Sequence, residues 1–178
     1  EIIMTVCFSD QEPILDSNSI FLAGPTRRNS HYEMSYRKEI VRLYQEAGFN
    51  GIIYVPEIFE KRAFDENEVE KQTKWEWRCL DAAGIVLFWV PRKFPDMPAF
   101  TTNVEFGIYT EKKPNQVVLG YPDNAKKMGY LRLRYEAVTG RKPCHSLKET
   151  IDESLIVLNQ FLEEEREKGK ETLHKYNQ

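Results

Sequence analysis

The chain has 178 residues, 41% of them hydrophobic, without a low-complexity run, a length that suits one well-packed domain and is short for two. Its net charge is only −3, with basic residues scattered rather than striped. That excludes the electrostatic footprint of a duplex-binding protein and leaves a free nucleotide or nucleoside open as ligand.

In chain order, Ile2 to Leu15 alternates poorly and is read as an N-terminal extension (1–18) able to add an edge strand or hairpin. Ser19 to Ala23 predicts the first strand, followed by the breaker Gly24-Pro25. Glu33 to Ala47 places Tyr36, Ile40, Leu43, Tyr44 and Ala47 at helical spacing, with Gly48 as C-terminal cap. Gly51 to Val55 is the second strand, Val69 to Ala83 a helix, and Ile85 to Val90 the third and most buried strand. Thr102 to Lys112 predicts a helix, Gln116 to Gly120 a fourth strand and Met128 to Val138 a short helix. Pro143 to Ser146 is a weak fifth strand, and Leu147 to Lys168 a closing helix with Leu155, Leu158 and Leu162 inward and a solvated charged end. Strands alternating with helices predict an α/β fold, a flavodoxin-like doubly wound parallel sheet of four to five strands over residues 1–178. In such a sheet the ligand sits where strand order reverses, so the loops after the first and third strands, Gly24 to Ser30 and Pro91 to Thr101, are expected to meet.

The residues themselves leave alternatives open. Gly24 is a strand-ending turn or a ligand-touching loop; Arg27 and Arg28 hold a phosphate or meet water. In Trp75-Glu76-Trp77, Glu76 is an aromatic-flanked acid of raised pKa or a surface partner for Arg78 or Lys74, and Trp75, Phe88 or Trp89 is a stacking wall or core. Thr102-x-x-Glu105 is a capping box, or Glu105 is a nucleophile held ionised in a helix's first turn. Cys7, Cys79 and Cys144 are odd in number without CxxC spacing, and His31, His145 and His174 form no ligand cluster with them, so no disulfide framework, metal or cofactor is expected. The longest apolar run, Ile85 to Val90, is far below the roughly 20 residues that cross a bilayer, and no leader pattern is visible; a cytoplasmic protein is expected.

Taken together, "IFLAGPT", "KWEWRCLDAAGIVLFWVPR", "TTNVEFG" and "VVLGYP", over roughly residues 19 to 130, resemble the nucleoside 2-deoxyribosyltransferase family, particularly its deoxyribosyltransferase-like branch. The resemblance implies Glu105 as nucleophile, Glu76 as the group handling the leaving base's proton, Gly24, Pro25 and Thr26 in the loop over sugar and base, and Asn103 beside the sugar hydroxyls. Arg27 and Trp75 join them as candidate substrate contacts, and a homodimer or larger homo-oligomer is implied, with nucleoside and free base as small-molecule partners. One departure stands out: Ala99 occupies the place of an aspartate six residues before the nucleophile, with Asp96 displaced nearby, which leaves the choice between deoxyribose and ribose unassigned. The expected activity is sugar transfer between bases or hydrolysis. Set beside it are a nucleoside 5′-monophosphate N-glycosidase using Arg27, Arg28 and Ser30, a non-catalytic nucleotide-binding module, and, by fold analogy, a dinucleotide glycohydrolase.

Overall fold

The computed structural model describes residues 3–27, 35–59 and 66–176. The elements run β1 (Thr5–Phe8), β2 (Ser19–Ala23), α1 (Tyr36–Glu46), β3 (Ile52–Val55), α2 (Glu66–Ala82), β4 (Ile85–Trp89), α3 (Phe100–Lys112), β5 (Val117–Gly120), α4 (Gly129–Thr139) and α5 (Leu147–Tyr176). All strand pairings are parallel, and the order across the sheet is β1-β3-β2-β4-β5. This is the flavodoxin-like α/β arrangement expected. Every residue of β2 through β5 is buried, as strands covered on both faces require.

Alternation along the strands divides the core in two. Phe21, Ala23, Val86 and Phe88 pack with Cys79, Leu80, Phe106 and Leu131 of α2, α3 and α4 on one face. Ile20, Leu22, Ile85 and Leu87 pack with Ile40, Tyr44, Ile151 and Leu158 of α1 and α5 on the other. The chain steps from β2 to β3 on one side and then crosses to β4 on the other, so strand order reverses at β2, and the helices change face with it.

Three expectations are corrected. The fifth strand is β1, pairing with β3 from Thr5↔Ile52 to Phe8↔Val55, whereas Pro143–Ser146 contributes one isolated bridge, Gly120↔Cys144. Four sequential residue pairs make a ladder; a single contact beside an edge does not. The closing helix extends past Lys168 to Tyr176, and of its three leucines only Leu158 is fully buried, Leu155 and Leu162 being part-buried. The helix expected from Thr102 begins at Phe100, after Ala99 in the left-handed conformation (φ 61°, ψ 42°). The proposed start of the first helix at Glu33 lies outside the described residues; α1 is observed from Tyr36, with Ser35 as its cap.

Candidate active site

The cavity grows from the end of β2. Gly24 has φ +135°, and a Cβ there would stand 2.1 Å from the Trp89 carbonyl oxygen and 2.6 Å from the Tyr36 hydroxyl. Only glycine lets β2 end this close to β4, so the turn and the close approach are one feature. The loop beyond is fastened from α1. Tyr36 donates its hydroxyl to the Pro25 carbonyl (2.8 Å). Arg37, 1% exposed, donates from Nε to the Leu22 carbonyl (3.0 Å), from Nη2 to the Gly24 carbonyl (2.6 Å) and from Nη1 to Thr26 Oγ1 (2.9 Å). Glu57, just beyond β3, lies 3.5 Å from Nη1 and accepts a hydrogen bond from Ser35, whose hydroxyl in turn accepts from the Arg37 amide (3.1 Å).

A cavity of about 400 Å³ opens over this loop, between α2 and α3. Val69, Gln72, Thr73 and Glu76 of α2 line one wall; their spacing of i, i+3, i+4 and i+7 makes a single helix face. Ala99, Phe100, Thr101, Thr102 and Glu105 line the opposite wall. The loops after β2 and β4 meet here, as the reversal of strand order demands.

Of the residues singled out in sequence, Gly24, Pro25, Thr26, Glu76 and Glu105 line this cavity, and Trp75, Asn103 and Arg27 do not. Successive helical residues point about 100° apart, which turns Trp75, Glu76 and Trp77 in three directions. Trp75 is buried against Phe21, with its indole N–H given to the Gln11 carbonyl (2.9 Å), and is core rather than a substrate contact. Trp77 is 58% exposed. Phe88 and Trp89 are likewise core, Phe88 edge-on to Phe106 with a centroid separation of 5.4 Å. Asn103, one residue round from Thr102, accepts from buried Arg92, which also donates to the Lys127 carbonyl (2.9 Å), so its oxygen links α3 to these loops. Asp96 pairs with Lys93 at 3.8 Å outside the cavity, leaving Ala99 at the wall. Arg28, Asn29 and Ser30 lie outside the described residues.

The capping box is absent. With Ala99 at the cap and Phe100 first in the helix, Thr102 is the third helical residue and Glu105 the sixth, beyond reach of the cap amide. Nor is Glu105 held ionised by the helix terminus. Burial first, and the Glu76 carboxylate second, push its carboxyl up to about 7, with Arg37 opposing both. Glu76 is also raised, by burial, against the opposing effects of its hydrogen bond from Gln72 (3.1 Å) and of Arg37. Gln72 donates as well to the Pro56 carbonyl (3.2 Å), which ties Glu76 to the end of β3.

Sequence reasoning missed Arg37. Its signal was a charged residue on the inward stripe of α1, in register with Ile40 and Tyr44. Among the described residues no cluster of three or more His, Cys, Asp or Glu is placed to hold a metal, and no helix is long and apolar enough to cross a membrane.

The arrangement defines an α/β protein with a small-molecule crevice at its switch point and two carboxyls of raised pKa facing that crevice, a combination suited to acid–base and covalent chemistry. Residues 17–123 match the family described as nucleoside 2-deoxyribosyltransferase like, and the chain belongs to it. The family points to a glycosyl-transferring class of enzyme acting on nucleosides and nucleobases. No curated protein matches the chain.

Proposed function

We propose that the protein cleaves the N-glycosidic bond of a nucleoside through a covalent glycosyl–Glu105 intermediate and passes the sugar to another base or to water. The observation that carries this reading is the placement of Glu76 and Glu105, from two helices, on opposite walls of one cavity at the switch point. Breaking the bond develops positive charge at C1 of the sugar. The Glu105 carboxylate attacks C1 as the C1–N bond breaks, forming an ester, while Glu76 gives its proton to the departing base nitrogen. An incoming base or water then attacks C1, the ester C–O bond breaks, and Glu76 recovers a proton from the attacker. Two substitutions at C1 return the original configuration.

The reaction requires one proton between the two carboxyls and requires it on Glu76; since burial also favours a proton on Glu105, the reactive form is the one in which Glu105 has ionised and Glu76 has not. The reading includes self-association in the cytoplasm, with an apolar face offered by exposed Phe100, Val104 and Ile108 of α3, the first of which also lines the cavity.

The test is incubation with deoxyuridine or deoxyinosine plus adenine, with a parallel arm lacking acceptor and another supplying nucleoside 5′-monophosphate. Deoxyadenosine formed by the native chain, and reduced about 10³-fold or more in Glu105→Gln, is the expected result. Ligand binding that persists without turnover of any substrate would overturn the proposal and leave a binding module.

A further inference from the structure

Burying a guanidinium in the apolar stripe of a helix is costly unless its charge is answered. Arg37 occupies such a place on α1, and a leucine or methionine would continue the Ile40–Tyr44 stripe without that cost. All three of its nitrogens are engaged by the protein, chiefly by neutral acceptors: the carbonyls of Leu22 and Gly24 and the hydroxyl of Thr26. Among the described residues its ion-pair partner is Glu57, at 3.5 Å, longer than any of those contacts. Arg37 nevertheless lines the cavity, and among the described lining residues it is the only cation, facing two carboxyls.

We infer that Arg37 is the positioning residue of this site, a cation fixed on the end of β2 whose field keeps one of the two cavity carboxyls ionised, with Glu57 tempering that field. The inference rests on the reading of Glu76 and Glu105 as the reacting pair.

The charged and titratable groups around that pair come from every neighbouring element. α1 supplies Arg37 and the Tyr36 hydroxyl, the latter committed to Pro25 and, by burial, raised to about 12, so neutral in the working range. Among the described residues, the segment after β3 supplies Glu57, α2 supplies Glu76 and the buried Cys79 thiol, and α3 supplies Glu105 and the Tyr109 hydroxyl, which is given to Asp81; burial raises both the thiol and the hydroxyl, so neither is charged in the working range. The remaining polar lining, Thr26, Gln72, Thr73, Thr101 and Thr102, carries no charge. Two nearby carboxyls resist simultaneous ionisation, and burial favours protonating both; a doubly protonated pair has no nucleophile. A fixed positive charge opposes that second proton. Because the guanidinium's hydrogen bonds go to the chain itself, it does this without occupying ligand space.

The prediction has opposite signs for two variants. Arg37→Met removes the cation, so the pair should release its protons about one pH unit higher than in the native protein. Glu57→Gln keeps one acceptor oxygen, enough for either Ser35 or the guanidinium, which the carboxylate meets through separate oxygens, while removing the tempering charge, so the same groups should titrate lower. Arg37→Lys, retaining charge, should fall between the native protein and Arg37→Met. The measurement is a ¹³C NMR titration of the glutamate side-chain carboxyls in the ligand-free full chain, assigned with Glu76→Gln and Glu105→Gln. The acid limb of the kcat/KM profile with deoxynucleoside is expected to move in parallel. Unchanged titrations, or shifts of the same sign in Arg37→Met and Glu57→Gln, would overturn the inference and make Arg37 a purely structural brace. Should Arg37→Met fail to fold, the downward shift in Glu57→Gln decides alone. The expected NMR shifts in a protein that turns over no nucleoside would sustain the role of Arg37 and sink the proposed activity.

Discussion

Glu105 carries a cost in stability, which its proposed role as nucleophile would account for. Its carboxyl ionises near pH 7 in the folded chain, against an ordinary value of 4.5, because burial and Glu76 disfavour the charge. Between those two pH values the native state holds a proton that the unfolded state has released, so the group's contribution to stability falls as pH rises, and the loss is complete above about 7. Glutamine cannot ionise. Glu105→Gln should therefore melt at a higher temperature than the native chain at pH 8, and the difference should vanish as pH falls below 4.5. Thermal denaturation across that range checks this. Under the proposed mechanism the same variant should lose turnover, so stability and activity should move in opposite directions at one residue.

At the scale of elements, the site depends on how closely two strands end. Gly24 lets the end of β2 pass beneath the Trp89 carbonyl and the Tyr36 hydroxyl, with φ in a region that side chains rarely adopt. Gly24→Ala meets a backbone oxygen, which cannot rotate away. It should cost about 2 kcal/mol or more by denaturant unfolding, and it should lower activity beyond that by displacing Pro25 and Thr26 from the cavity. Much of this level was legible in the sequence. The Gly24-Pro25 breaker after a buried run and the order of strands and helices led to the sheet and to the meeting of two loops. The start of α3 was not legible, because Ala99 adopts a left-handed conformation more typical of glycine or asparagine, and nothing in "PAFTTNVEF" announces it. That displacement by two residues is what removed the capping box.

For the whole molecule, α3 presents an exposed apolar face. Phe100, Val104 and Ile108 recur every fourth residue and are 64%, 62% and 51% exposed. If this face joins two copies, replacing Val104 and Ile108 together by glutamate should yield a smaller species in sedimentation velocity while circular dichroism stays unchanged. A native chain that sediments as a monomer at micromolar concentration would refute the expected self-association.

Sequence alone determined the class of fold, the family resemblance and the two acids at its centre, because strand burial, helical period and motif order are local or one-dimensional properties. The tertiary structure decided which neighbours of those acids face the cavity. Trp75 and Asn103 lie one residue from cavity-lining positions, and a turn of about 100° sends the first to the core and the second to Arg92. It also revealed Arg37, thirteen residues from Gly24 in sequence yet hydrogen-bonded to its carbonyl, since a crossover packs α1 back against the end of β2. Such a juxtaposition arises from the folding of helices onto a sheet, and no spacing along the chain encodes it directly.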